Sequence, residues 1–188
     1  MEILYGLLGL VVLLTLYVIA TYNKLVGLRV RMNEAWSDIS VQLKRRYNLV
    51  PNLVETVKGY AGHESKTLEA VIAARGAAVS STGSPAEQAG AENIFAGALR
   101  QLLAVSEAYP ELKANEGFLK LQRELGDLED VIQKARRFYN GNVRMMNVAV
   151  QEFPSNIVAD MFNFEKGEFF ELDEANAEEV KQAPKVSF

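Results

Sequence analysis

Residues 25–61 of the chain read LVGLRVRMNEAWSDISVQLKRRYNLVPNLVETVKGYA, and apolar residues recur in this stretch every three or four positions. This period predicts an amphipathic helix with one buried face. The apolar stripe fills all eleven of its places: Leu25, Leu28, Met32, Ala35, Ile39, Leu43, Tyr47, Val50, Val54, Val57 and Ala61. Pro51 lies inside it and predicts a kink; the alternative is that a new helix starts at Pro51.

The segment just before this helix, residues 3–22, reads ILYGLLGLVVLLTLYVIATY and contains no formal charge. Twenty helical residues span about 30 Å, which matches the hydrocarbon core of a bilayer. A cleavable signal peptide has a basic leader, whereas only Met1 and Glu2 precede this run, so we expect an uncleaved anchor. The alternative is a buried core helix, but such helices are rarely apolar on every face.

Charges after the apolar run predict its orientation. The stretch from Lys24 to Arg46 holds six basic residues and two acidic ones. Because basic residues accumulate on the cytoplasmic side of a membrane, we expect a single-pass protein with its N-terminus outside and its bulk domain in the cytoplasm.

A second long helix is predicted nearer the C-terminus. Its stripe also fills eleven of eleven places: Phe118, Leu121, Leu125, Leu128, Ile132, Ala135, Tyr139, Val143, Met146, Val150 and Phe153. Between the two stripes, Ser84, Pro85 and Glu87 form an S-x-x-E capping box that marks a helix start. The predicted fold class is all-α, with an N-terminal transmembrane helix that continues into an antiparallel bundle of long helices and an extended C-terminal tail.

Three regions follow from these patterns. Residues 1–23 are predicted to form the anchor, residues 24–153 the helical bundle, and residues 154–188 an extended tail that follows Pro154. The tail is acidic, with seven acidic and three basic residues from Glu165 onward. It also carries aromatic residues that would be costly to leave in water, so part of it is expected to dock on the bundle or on a neighbouring subunit: Phe162, Phe164, Phe169 and Phe170.

Composition argues against most catalytic chemistry. The chain has no cysteine and one histidine, which excludes disulfides, thiol catalysis and cysteine-based zinc sites. His63 is interpreted as a helix-junction cap or surface pair with Glu64. The acidic cluster Asp127, Glu129 and Asp130 lies off the apolar stripe and is interpreted as a solvated face. We therefore predict no enzyme activity, no catalytic, cofactor-binding or metal-binding residue, no cofactor and no small-molecule substrate. The net charge of −4 argues against nucleic acid as a partner.

Two stretches are candidate interaction sites. Lys44, Arg45 and Arg46 form the densest basic run, but a straight helix places them about 30 Å beyond Lys24, too far for lipid headgroups. Unless the helix lies along the membrane, we expect these residues to lie on the bundle surface and to pair with acidic residues of a neighbouring helix or of the tail. The chain ends Val186-Ser187-Phe188, which could add as a strand to a peptide-binding domain; the favoured alternative is a tail tucked onto its own bundle. Aromatic candidates in the tail are Phe169 and Phe170.

Several blocks of the chain resemble the bacterial LemA family. YNKLVGLRVRMNEAWSDISVQLKRRYNLVPNLVETVKGYAGHESKTLEAVIAAR is similar to its N-terminal signature, and YPELKANEGFLKLQRELGDLEDVIQKARRFYNGNVRMMN to its long C-terminal helix. FPSNIVADMFNF, FFEL and PKVSF continue the match, which runs from Tyr22 to Phe188. The departures are minor: Tyr47-Asn48 stands where a more polar pair is expected, and Gly62 where a longer side chain is common.

The resemblance implies one transmembrane helix in the bacterial inner membrane, a short outside N-terminus and a cytoplasmic helical bundle. It implies no reaction and no functional residues, because the family has no established catalytic activity. Our leading hypothesis is a membrane-anchored scaffold that contacts lipid through its N-terminal helix, forms a homo-oligomer and recruits other envelope proteins. The alternative is an accessory subunit of a membrane protease or envelope-stress pathway that docks through its C-terminus.

Overall fold

The computed structural model describes residues 1–171, and within that range it contains helices and turns but no strand. In this described part of the chain, a 3₁₀ turn at Ser106–Ala108 joins the third and fourth of six α-helices. The helices are α1 (Glu2–Tyr60), α2 (Ser65–Ser80), α3 (Pro85–Val105), α4 (Pro110–Lys113), α5 (Glu116–Gln151) and α6 (Ser155–Met161). The predicted all-α class is confirmed.

Helix α1 runs through Pro51 without a break, so no new helix starts there. Proline has no N–H, and the main-chain carbonyl of Tyr47, four residues earlier, therefore lacks its usual helical donor. The Nε of Arg75 on α2 donates to this carbonyl at 2.7 Å. A side chain from the neighbouring helix thus replaces the hydrogen bond that Pro51 removes.

The apolar stripe predicted on α1 forms the buried face of this helix. Ten of its eleven members are buried, and the remaining member, Met32, is half-buried. The stripe on α5 is likewise buried or half-buried until its end, where Phe153 is 80% exposed. This position differs from the prediction because α5 ends at Gln151, before the stripe is complete.

One compact unit contains residues 1–45 and 127–169. In this unit α1 and α5 are antiparallel, because Trp36 contacts Tyr139 at a ring distance of 5.3 Å while the earlier residue Leu25 shares a cluster with the later residue Met146. That cluster also takes in α6 and the segment after it: Leu25, Leu28, Met146, Ala149, Val158, Ala159 and Phe164.

The other compact unit contains residues 46–126 and, from the described end of the chain, residues 170–171. Its helices are the end of α1, then α2, α3 and α4, and the start of α5. The predicted capping box is confirmed, since the Glu87 N–H donates to Ser84 Oγ at 3.4 Å and the Ser84 N–H donates to Glu87 Oε2 at 3.1 Å. Large apolar side chains fill the core of this unit: Leu53, Val57, Phe95, Leu102, Leu112, Phe118 and Phe170.

The segment predicted to be extended from residue 154 begins instead with the helix α6. Seven residues make fewer than two helical turns, too few for a period to show in the sequence. At the end of α6, Asn163 has a left-handed φ of 53°, and the Phe164 N–H donates to the Ala159 carbonyl at 2.9 Å. This six-to-one bond is the Schellman motif, which closes a helix and turns the chain away.

Beyond α6 the chain is extended and is held by α5. The amide of Asn147 makes two bonds to Gly167: its Nδ2 donates to the carbonyl at 3.0 Å, and its Oδ1 accepts from the N–H at 2.7 Å. The hydroxyl of Tyr139 donates to the carbonyl of the next residue, Glu168, at 2.8 Å. The aromatic side chains of Phe164 and Phe170 are buried. The described part of the tail therefore docks on its own chain.

Candidate functional site

A polar network lies in the interior of the unit that begins at residue 46. Arg46 and Tyr47 are neighbours on α1, and both donate to the carboxylate of Glu92 on α3, Arg46 to Oε2 and Tyr47 to Oε1. Gln88, one turn before Glu92, donates from Nε2 to Glu92 Oε1 at 3.0 Å. The side chains of Arg46 and Glu92 are essentially inaccessible to solvent. Each carboxylate oxygen of Glu92 therefore accepts at least one bond from within the bundle.

Aromatic and main-chain groups enclose this network. The guanidinium of Arg46 lies 5.2 Å from the ring centroid of Phe95, a distance that allows a cation–π contact. Gln88 Nε2 also lies 3.1 Å from the Tyr47 hydroxyl and 3.1 Å from the carbonyl of Ala78 on α2. Burial and the nearby Glu92 carboxylate raise the pKa of Tyr47 well above its usual value. The phenol therefore stays protonated and serves as a donor.

This arrangement is suited to holding helices together. A general acid or base has to reach a substrate, whereas the charged atoms of Arg46 and Glu92 face each other inside the bundle. Breaking a buried ion pair is far more costly than breaking a surface pair, because the remaining charge stays desolvated. The network joins α1, α2 and α3 in one connected set of hydrogen bonds.

The structure separates the three residues of the predicted basic run. Lys44 and Arg45 are exposed, whereas Arg46 is buried. Arg46 pairs with an acidic residue of another helix, as expected, but the pair is buried and does not lie on the bundle surface as the sequence predicted. The sequence contained a signal for this burial, because Arg46 lies three residues after Leu43 and four before Val50 and therefore shares their helix face.

The other candidate residues are spread over the chain. Phe170 is buried and Phe169 is half-buried. Val186 and Phe188 lie outside the described residues. His63 is exposed in the turn between α1 and α2, and the adjacent Glu64 accepts a hydrogen bond from the Tyr109 hydroxyl at 3.3 Å. Within residues 1–171, no group of three His, Cys, Asp or Glu side chains is arranged to hold a metal ion.

A shallow groove that sequence reasoning missed lies between α1 and α2. It has a volume of about 380 Å³. An apolar floor is bordered by two basic side chains and one acidic side chain, the complete lining being Val50, Pro51, Val54, Glu55, Lys58, Ile72 and Arg75. The groove forms where Pro51 interrupts the hydrogen bonding of α1, and no sequence period marks such a place.

Residues 2–17, the N-terminal part of α1, are all exposed. Within the described chain, α1 is the one helix long and apolar enough to cross a membrane. Its most apolar stretch has a mean hydropathy of 2.5, and none of that stretch is buried. A soluble helix would hide such a surface in a core. The fold and this surface define a membrane-associated all-α protein.

Comparison with known families agrees with this class. A sequence model of the LemA family matches residues 35–188, which is most of the chain. The chain belongs to the LemA family, as its sequence blocks predicted.

Curated relatives include two magnetosome proteins. The chain is 26% identical over 174 residues to Magnetosome protein MamQ of Magnetospirillum gryphiswaldense, a match covering 79% of this chain and 64% of the relative. It is 26% identical over 175 residues to Magnetosome protein MamQ 2 of Paramagnetospirillum magneticum, covering 80% and 64%. The chain thus spans slightly less than two thirds of the length of these relatives.

Proposed function

We propose that this protein is a membrane-anchored, non-enzymatic scaffold that self-associates and recruits other envelope proteins. Residues 1–23 form the anchor in the bacterial inner membrane, with the N-terminus outside, and residues 24–153 form the cytoplasmic bundle. Residues 154–188 form the tail. The exposed apolar stretch of α1 supports the anchor. The buried Arg46–Glu92 pair supports a structural role for the polar residues of the bundle.

Self-association rests on one observation on α5. Phe138, Gly141, Met145 and Val148 follow one another at spacings of three, four and three residues, which is the seam pattern of a coiled coil. All four are exposed, with Phe138 at 62%, Met145 at 47% and Val148 at 43%. A Cβ added to Gly141 meets no atom within 4 Å, so another helix could approach closely there. The charged residues Lys134 and Glu152 limit the seam at its two ends.

The occupant of this seam would be a second copy of α5. Two copies anchored in one membrane with the same orientation are related by a two-fold axis along the membrane normal, so their α5 helices run parallel. In a parallel pair, each seam residue faces the same residue of the second copy. Phe138 would therefore lie next to Phe138 of the other chain.

Cysteine crosslinking of the full chain in membranes tests this arrangement, since the sequence contains no cysteine. Phe138→Cys should give a disulfide-linked dimer on mild oxidation. The matched control Gln133→Cys, exposed on the same helix but off the seam, should give little. Equal crosslinking of both variants would contradict the seam.

The oligomeric state in detergent gives a second test. Phe138→Glu should convert the associated protein to a monomer in light-scattering chromatography, because a charge is placed inside the seam. Ile94→Glu is the control, since Ile94 on α3 is 69% exposed and lies outside the seam. A wild-type protein that stays monomeric at all concentrations, with no crosslinked ladder in cells, would overturn self-association.

The alternative function, an accessory subunit that docks through its C-terminus, depends on Val186 and Phe188. Its support is the apolar-x-apolar sequence at the end of the chain. Deleting the last four residues should then abolish a specific pull-down while leaving the helix content unchanged in circular dichroism. An unaltered set of captured proteins would reject this alternative.

A further inference from the structure

Three exposed apolar side chains lie at or just after the end of α5 and on α6. Phe153 is 80% exposed, Ile157 52% and Met161 61%. Ile157 and Met161 are four residues apart on α6 and share one face. Full burial of each such side chain is worth about 1.5–3 kcal/mol, so leaving three of them in water is a substantial cost. These three side chains would therefore have a lower free energy in an apolar environment than in water.

The position of α6 along α1 indicates which environment this is. The ring of Phe162, directly after α6, contacts Tyr22 edge to face with centroids 4.8 Å apart. Tyr22 is the last residue of the uncharged apolar run. Val18, one turn further into that run, packs on the same cluster as Val158 and Ala159 of α6. Helix α6 therefore lies beside the last turn of the predicted membrane span.

Two basic side chains of α1 lie a few residues beyond Tyr22. Lys24 is exposed on α1, and the guanidinium of Arg29 is 4.9 Å from the ring centroid of Phe164. Cations at this depth suit the phosphate headgroups of a leaflet, while aromatic rings suit the boundary between headgroups and acyl chains. The exposed acidic residues Glu152, just before α6, and Asp160, on α6 itself, would lie at headgroup level.

We propose that Phe153, Ile157 and Met161 form a foot that inserts into the headgroup–acyl boundary of the leaflet on the bundle side. The partner is thus a lipid surface, contacted by a second element in addition to the spanning helix. Interfacial helices bury their apolar face about 5–10 Å into this boundary. The inference rests on the membrane anchor of the proposed function and adds a fixed orientation of the α1–α5 pair at the membrane.

Site-directed spin labelling of the full chain tests the foot, and the absence of native cysteine makes single labels straightforward. The protein is reconstituted in vesicles of phosphatidylcholine and phosphatidylglycerol in equal parts. A label at Ile157→Cys or at Met161→Cys should be several-fold more accessible to oxygen relative to a water-soluble nickel complex than a label at Val41→Cys. Val41 is the matched control, because it is a 47% exposed apolar residue of the same unit, nineteen residues beyond Tyr22 on α1.

A label at Leu10→Cys, in the middle of the apolar run, separates failure of the foot from failure of the anchor. If Leu10 is in lipid while Ile157 and Met161 are as accessible to nickel as Val41, the foot is wrong and the anchor stands. If Leu10 is also accessible to nickel, both are wrong. Circular dichroism of each labelled variant verifies that the helices are intact.

Discussion

The Nε of Arg75 donates a hydrogen bond to the main-chain carbonyl of Tyr47 at 2.7 Å, the carbonyl that Pro51 leaves without a helical donor. A buried carbonyl without any partner costs about 1–3 kcal/mol, so this bond accounts for how α1 continues through a proline. The same bond connects α2 to Tyr47, which is also a member of the polar network with Glu92.

A double-mutant cycle of Arg75 and Pro51 should show that the Arg75 side chain replaces the helical N–H donor that Pro51 lacks. Arg75→Met is expected to lower the free energy of unfolding by about 1–3 kcal/mol in the wild-type chain. In a Pro51→Ala background the loss should be smaller by at least about 1 kcal/mol, because the alanine introduced there supplies the missing N–H. Urea unfolding in detergent, followed by circular dichroism, measures both values. Equal losses in the two backgrounds would show that Arg75 acts independently of Pro51.

The buried pair Arg46–Glu92 should be more sensitive to the loss of one partner than of both. Arg46→Met is expected to destabilise the bundle by about 3–5 kcal/mol, because it leaves the Glu92 carboxylate desolvated and uncompensated. Arg46→Met combined with Glu92→Met should recover much of that loss. The control is Lys120→Met, which removes an exposed pair with Glu124 at 3.9 Å and should cost less than about 0.5 kcal/mol. A double variant no more stable than Arg46→Met would contradict this account.

The amide of Asn147 should control how firmly the tail is held. Asn147→Asp keeps the shape but cannot donate to the Gly167 carbonyl, and its charge is repelled by that oxygen. Hydrogen exchange of residues 164–171 is expected to rise by about tenfold or more, corresponding to a loss of about 1.5 kcal/mol or more in local stability. Asn147→Asp should leave exchange in α2 unchanged. Unaltered exchange at Gly167 would show that these two bonds do not hold the segment.

Alkaline pH should weaken the fold through Tyr139. Burial, together with the neighbouring Glu168 carboxylate, raises the pKa of Tyr139 to about 12, whereas an unfolded tyrosine titrates near 10. The unfolded state therefore loses its proton first. The contribution of this residue is complete below about pH 10 and is lost as the pH rises towards about 12, for a total on the order of 2–3 kcal/mol.

The Tyr139→Phe variant isolates this contribution. It should be less stable than the wild type at about pH 9, because its hydrogen bond to Glu168 is missing, by about 1 kcal/mol. The difference should then fall to zero and change sign between about pH 10 and about pH 12, because the wild type loses about 2–3 kcal/mol there and the variant does not. Chemical denaturation of both proteins across this range is the measurement, and parallel curves would contradict the prediction.

The sequence predicted most of the helical architecture, because the burial of Leu25, Ile39 and Val57 follows from a period repeated over many turns. It did not predict the pairing of Arg46 with Glu92, since no local pattern connects residues 46 positions apart. Helix α6 was missed because it is only seven residues long. Phe153 was assigned to the buried stripe, although its helix ends two residues earlier and its ring is exposed. Long periodic helices can thus be predicted from the sequence, whereas single polar contacts and short helices become visible only in the folded structure.

Helix α1 continues without interruption from the apolar run into the α1–α5 pair. This continuity fixes the rotation of the apolar run about the helix axis relative to that pair. Each residue of an α-helix turns the chain by about 100° and advances it by about 1.5 Å. Inserting one residue between Tyr22 and Leu25 would therefore turn the apolar run by more than a quarter of a revolution relative to Leu25 and Met146, which share one cluster. If a flexible linker joined the two parts, the insertion would not change their relative rotation. In a continuous helix it rotates one part relative to the other. The direction in which the α1–α5 pair faces relative to the apolar run is thereby set by the number of residues between Tyr22 and Leu25.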